Sequence, residues 1–365
     1  ARRFGDCKGK TALLLALLHE LGIEAEPVIV STTLGDSINE RLPMVGLFDH
    51  VIVRAVIDGR TYWLDGTRTG DASLDRLVTP AFGWGLPLLP EGAELVYIMP
   101  GPLELPLEEM TIHFDARGGL TTPAPARVET TMRGDQATAV NFMLTNMGAD
   151  ERDRALREYW RKEFRFIDID AVGSAFDAKT GELRLTLEGR ARMDWDNDRY
   201  ETDRTRVGYR ADFHREPGPD RDAPFAVGHP FHHKATQTIL LPQGFSASDV
   251  LTEEDVEETV AGVEYRRHAT FADNVFTITR SARSVAPEFP AAEAEAAQKR
   301  LRELADQTFY VRKPDVYQPS EQELEAALDT EPKTFAEFVK RGYMFLEQRR
   351  FDQAIDDFDR ALELE

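Results

Sequence analysis

Residues 5–23 read "GDCKGKTALLLALLHELGI", and the position of the chain's one cysteine within them decides how the rest is read. Leu13, Leu14, Leu17, Leu18 and Leu21 recur at helical spacing and Gly22 is a natural stop, so the stretch predicts an amphipathic helix. A structural cysteine would normally share the apolar stripe, where it behaves as a small hydrophobe. Cys7 instead stands one step ahead of it, after Gly5 and Asp6 and beside Lys8 and Lys10. With Asp6 as N-cap the thiol lies at the helix N-terminus, where the macrodipole and unpaired N–H groups favour a thiolate. A nucleophilic cysteine then needs a base, usually His, and a group that orients the base.

Residues 48–67, "FDHVIVRAVIDGRTYWLDGT", offer both as a predicted hairpin turning at Asp58-Gly59. Counting outward from a two-residue loop pairs Val56 with Thr61, Arg54 with Trp63 and Ile52 with Asp65. His50 shares a strand face with Ile52, so Asp65 becomes its diagonal neighbour, about 7–8 Å away at the backbone. A one-residue slip would send the two to opposite faces. Each residue also has a plainer reading: a strand histidine is often structural, and Asp65 before Gly66-Thr67 suits a turn. The order Cys, His, Asp fills each catalytic role once.

The segments "GDCKGKTALLLALLHELGIEAEPVIV", "FDHVIV" and "YWLDGT" resemble the core of the transglutaminase-like superfamily, in its bacterial branch related to microbial cysteine proteases and amidases. The resemblance implies an α+β, papain-like core with the cysteine helix packed on an antiparallel sheet. It implies Cys7 as nucleophile, His50 as general base and acid, and Asp65 as orienter. The reaction implied is cysteine-dependent acyl transfer on a peptide or carboxamide, as protease, amidase or protein-glutamine transferase, with no cofactor or metal. Such bacterial proteins often carry a β-sandwich after this core, repeats at the C-terminus and a further β-domain before the core. The oxyanion-stabilising side chain lies upstream of the cysteine in the family, and the resemblance leans toward a periplasmic or secreted location without fixing the compartment. The competing reading is a non-catalytic protein-interaction scaffold.

Four regions follow. Residues 1–105 form the catalytic core, which is expected to be truncated at its N-terminus. Within it "AEPVIVST" reads as a strand and "TPAFGWGLPLLPEG" as a Pro/Gly-rich loop, whose Phe82, Trp84 and Pro87 suit a core plug better than a substrate groove. Residues 106–290 carry short alternating runs such as "MTIHFD", "ARVETTMRG" and "ELRLTLEGRARM", a β-sandwich-like domain interrupted by one helix near Ala155 to Glu163. Residues 291–330 read as a charged helix and then a linker, "VRKPDVYQPSEQE". Residues 331–365 form a helical hairpin in which Phe338, Gly342, Phe345, Ala354, Phe358 and Ala361 match the spacing of a tetratricopeptide repeat. One repeat cannot bury its apolar face alone, so further repeats and a protein partner are expected there.

Composition sets bounds on function. The 365 residues carry a formal net charge of −21, which argues against a general nucleic-acid binder. One cysteine excludes an internal disulfide and multi-cysteine zinc sites. No apolar run has the length of a membrane span. His229, His232 and His233 in "GHPFHHK" lack ordered spacing with acids and read as a loop. Asp194, Asp196 and Asp198 alternate like a calcium loop, but Arg199 and Thr205 replace its Gly and Glu, leaving a charged turn.

Overall fold

The computed structural model describes residues 5–364 apart from 121, 194, 196, 197, 203–205, 316 and 320. Helix α1 (Cys7–Glu20) starts where the Asp6 carboxylate accepts the Gly9 N–H at 2.8 Å. It ends on Gly22 at φ +71°. There the Ile23 N–H reaches the Leu18 carbonyl and the Gly22 N–H the His19 carbonyl, both at 2.9 Å, the paired bonds of a Schellman stop. Five strands follow: β1 (Glu24–Val30), β2 (His50–Ile57), β3 (Arg60–Leu64), β4 (Gly83–Pro87) and β5 (Val96–Ile98). They form one sheet in the order β3-β2-β1-β4-β5, with every neighbouring pair antiparallel.

The β2–β3 turn has φ 52° at Asp58 and 77° at Gly59, both positive as a type I′ turn requires. It pairs Val56 with Thr61 and Arg54 with Trp63, which is the counted register. The ladder closes at Val53 and Leu64, one residue short of the Ile52–Asp65 pair. One sheet face buries Val28, Val30, Ile52 and Ile98 with Trp63 and Phe82. The other receives α1, with Leu18 against Val53 and Ala55 and with Leu14, Leu15, Ile23 and Leu64 around them. A helix on an antiparallel sheet makes this an α+β unit.

Two expectations for this unit are corrected. The stripe of α1 that meets the sheet is Thr11, Leu14, Leu15 and Leu18, at spacings i, i+3, i+4 and i+7. Leu13, Leu17 and Leu21 stay 63, 55 and 74% exposed. The helix rotation is fixed by a polar anchor, the Thr11 hydroxyl donating to the Val51 carbonyl at 3.1 Å, which an apolar count passes over. The "TPAFGWGLPLLPEG" segment is no loop either, since Gly83–Pro87 pairs with β1, with Gly85 opposite Val30. Gly85 is required in that row, because a Cβ would fall 2.8 Å from Val28 and 2.9 Å from Ile98.

The next strands are β6 (Glu108–Asp115), β7 (Ala124–Met132), β8 (Ile167–Asp177), β9 (Glu182–Ala191), β10 (Arg199–Glu201), β11 (Phe225–Ala226) and β12 (His232–Leu240). After them come β13 (Val256–Val260), β14 (Val263–Ala272), β15 (Val275–Ser284), β16 (Glu288–Phe289) and β17 (Tyr310–Arg312). Eight of them make one sheet, in the order β13-β14-β15-β12-β6-β7-β9-β8, antiparallel except for β12 beside β6. The small pairs β10–β17 and β11–β16 lie apart from it. The expected sandwich-like pair of sheets is thus a single continuous ladder, because helices cover its apolar side chains.

Two helices rather than one stand between β7 and β8: α2 (Gly134–Thr145) and α3 (Ala149–Glu163). Ala137, Leu144, Leu156 and Trp160 from them join Ile112, Val128 and Leu187 of the sheet in one core. The Trp160 indole N–H donates to the Thr186 carbonyl at 3.1 Å. After the short α4 (Ala247–Val250), α5 (Ala294–Asp306) lays Ala297, Leu301 and Leu304 on Val256, Val263 and Tyr265. The predicted linker is folded onto the sheet as well. It holds β17, and the Tyr317 hydroxyl donates to Glu323, whose other oxygen accepts the Leu120 N–H at 2.7 Å.

Three further helices close the chain: α6 (Glu321–Asp329), α7 (Phe335–Glu347) and α8 (Phe351–Leu364). A capping box of Thr334 and Glu337 starts α7. Gly342 lets α8 approach, since a Cβ there would fall 2.7 Å from the Phe358 ring. Phe345 and Ala354 meet in the same small core, so the two helices run antiparallel. No helix among the described residues is long and apolar enough to cross a membrane.

Candidate functional site

Cys7 is the first residue of α1, partly buried, with Asp6 capping the turn behind it. It sits one turn before Thr11, on the same helix face, and therefore continues the sheet-facing stripe. The Thr11 bond to Val51, one turn beyond Cys7, ties the helix near its start to the residue next to His50. From the other side Gly66, next to Asp65, packs on Lys10; a Cβ at Gly66 would lie 3.2 Å from the Lys10 Cβ. The helix start that carries the thiol thus touches the immediate neighbours of both other candidate residues.

His50 opens β2, opposite Val30. Its backbone is held just before the strand begins: the Asp49 N–H donates to the Val30 carbonyl, and the Asp49 carboxylate accepts the Thr32 N–H at 2.8 Å and the Thr32 hydroxyl at 2.7 Å. Those Thr32 bonds keep the Asp49 carboxyl below the usual carboxylate range. The His50 Nε2 lies 2.9 Å from Asp65 Oδ2, and the Phe82 ring flanks the imidazole at 5.7 Å.

Asp65 is buried, and each of its oxygens has a separate task. Oδ2 meets His50, while Oδ1 accepts the Thr67 N–H at 2.8 Å and the Thr67 hydroxyl at 2.7 Å. Burial pushes its pKa up, but the Thr67 bonds and His50 outweigh burial and hold the carboxyl below its ordinary range. An ionised carboxylate only accepts, so Nε2 carries the imidazole proton and Nδ1 is left as the basic nitrogen. The turn reading and the orienting reading of Asp65 therefore describe one arrangement, because the turn bond to Thr67 is what aims the carboxylate. Sequence reasoning takes Gly66-Thr67 only as a turn after Asp65 and passes over Thr32 and Asp49. The signal available was an Asp two residues before a Thr, a frequent side-chain-to-backbone turn.

The three histidines do not converge, and the loop expected for them is corrected: His232 and His233 are the first residues of β12, paired with Arg283 and Ala282, while His229 precedes the strand. The His229 Nε2 donates to the Pro100 carbonyl at 2.8 Å and its Nδ1 accepts from Ser284 at 2.9 Å. His233 lies against Phe231, and burial holds the His232 imidazole below its ordinary range. Among the described residues no group of His, Cys, Asp and Glu could hold a metal ion. Asp194, Asp196 and Thr205 of the acidic turn lie outside the described residues, and Asp198 pairs with Lys313.

No protein-family model matches the chain, and no curated protein matches it. Among solved structures, a chain from Parabacteroides distasonis provisionally named a protease is similar at a TM-score of 0.39 and 11% identity. That likeness covers 83% of this chain and 43% of the other, so this chain spans less than half of that protein.

Proposed function

We propose that the chain is a transglutaminase-like cysteine acyl-transfer enzyme, with Cys7 as nucleophile, His50 as base and acid, and Asp65 as orienter. The observation that supports the reading is the part-buried Asp65–His50 hydrogen bond, whose chain neighbours Gly66 and Val51 meet Lys10 and Thr11 near the start of the cysteine helix. In the reaction Cys7 Sγ gives up its proton to His50 Nδ1 and attacks the carbonyl carbon of a peptide bond or side-chain carboxamide. The imidazolium returns that proton to the departing amine or ammonia, leaving a thioester on Cys7. A water molecule or a second amine, deprotonated by His50, then attacks the thioester, releasing acid or new amide and restoring the thiol. Of the two branches we propose hydrolysis, with water as the acceptor.

A second reading, a protein-binding scaffold, draws on the helical pair, where Phe351, Ile355 and Leu362 of α8 stay exposed. A tetratricopeptide array would place a neighbouring repeat or a protein partner there.

The test is alkylation of Cys7 by iodoacetamide near pH ~6, where free cysteine is almost wholly protonated. The enzyme reading expects at least about a tenfold faster reaction than free cysteine, falling to the free rate in His50→Ala. Equal rates for wild type, His50→Ala and free cysteine would leave only the scaffold.

A further inference from the structure

The loop after Asp65 is held from outside its own sheet. Asp135, the second residue of α2, accepts the Arg68 Nε–H on Oδ2 at 3.1 Å and the Gly70 N–H on Oδ1 at 2.9 Å. One turn further along α2, the Thr138 hydroxyl donates to the Thr69 carbonyl at 3.3 Å. At Gly70 the approach is so close that a Cβ would fall 2.2 Å from the Asp135 nitrogen, so no other residue fits the loop against this helix start. Arg68 is fixed further by the Val78 carbonyl at 2.6 Å and by Asp71 at 3.3 Å. These anchors fall on residues 68, 69 and 70, directly after Thr67.

Upstream of them the same loop is a tight turn, with the Arg68 N–H on the Asp65 carbonyl and both Thr67 donors on Asp65 Oδ1. Movement of Arg68 therefore moves Thr67, and movement of Thr67 frees one of the two carboxylate oxygens. We infer that Asp135, supplied by the eight-stranded unit, is a positioning residue for the Asp65–His50 pair: it holds Arg68 and Gly70, they hold Thr67, and Thr67 aims the carboxylate. The inference rests on the acyl-transfer reading of Cys7, His50 and Asp65. It makes the second unit a requirement for chemistry on the first, through a helix some seventy residues further along the chain.

The experiment measures iodoacetamide alkylation of Cys7 in the full chain as a function of pH, with melting followed in parallel. Asp135→Ala should lower the rate excess near pH ~6 by about tenfold, the order of loss expected when a reacting group is misplaced by a fraction of an ångström. Because Asp135 acts through the carboxylate, the double variant Asp65→Asn/Asp135→Ala should react no more slowly than Asp65→Asn alone. General loosening of the fold would slow the reaction in both backgrounds. Arg68→Gln cuts the same link from the other side and stands in if Asp135→Ala fails to fold; the same loss is expected. A rate excess that Asp65→Asn removes but Asp135→Ala and Arg68→Gln retain overturns this inference alone. Absence of any excess in the wild type overturns it together with the reading beneath it.

Discussion

A carboxylate buried at a strand end is stable there only if its charge is answered, and Asp65 has three donors to do so. Its folded-state pKa lies below the unfolded value of about 3.9. The stabilisation from these bonds is therefore complete above that value and is lost as pH falls through the lower folded one. Thr67→Val deletes the hydroxyl and keeps the N–H, so it should move the Asp65 titration back toward the ordinary carboxylate range. Carboxyl-carbon NMR, assigned with Asp65→Asn, reads this directly, and a titration unmoved by Thr67→Val would assign the lowering to the Thr67 N–H and His50. Asp65→Asn itself should melt near the wild type and yet lose most of the Cys7 reactivity, because an amide NH2 facing His50 would favour the other imidazole tautomer.

The elements differ in how openly their sequences declare them. The β2–β3 hairpin was legible to the residue, because Asp58-Gly59 is one of few dipeptides that accept positive φ twice, and the turn then fixes every pairing to Leu64. That register is also what placed Asp65 on the face of His50. The stripe of α1 differs from the leucine count because it includes Thr11, whose hydrogen bond to Val51 leaves no trace in an apolar pattern. Strand β4 was hidden for the opposite reason: its glycines and prolines signal a loop locally, and only the edge of β1 turns them into a strand. In the helical pair the spacing of small and aromatic residues was plain, while its ion pair was not. Arg341 grips the buried Asp357 through two bonds of 2.8 and 2.7 Å and also bonds the Thr330 carbonyl at 2.9 Å. Arg341→Met should destabilise the pair by about 3–5 kcal/mol by stranding the carboxylate. Adding Asp357→Leu should recover much of that loss in thermal melting; no recovery would mean that Arg341 acts by packing.

At the scale of the whole molecule, charged side chains join the units. Arg76 of the first unit and Arg133 of the second share Glu182 at 2.8 Å each. At the far edge Arg192 bonds both Asp168 and Glu337, and Lys333 reaches the same Asp168 at 3.1 Å, tying α7 to β8 and β9. The eight-stranded sheet has a seam of another kind, the parallel contact of β6 with β12, which sets Glu108–Asp115 beside His233–Leu240. On one side lie β6, β7, β9 and β8, on the other β12, β15, β14 and β13, each half laced by antiparallel neighbours. Each half can form from local segments, but the seam must close a loop of more than a hundred residues. During synthesis the first half is complete while β6 still presents an open edge of unpaired N–H and C=O groups, the kind that recruits other strands. Refolding should accordingly show two early phases and one late phase, with β6 and β12 amides gaining exchange protection last in pulse-labelling. Simultaneous protection across all eight strands would mean that the sheet forms as one unit. The seam is thus where a ribosome-bound chain waits longest for its partner strand and where premature association with another chain would begin.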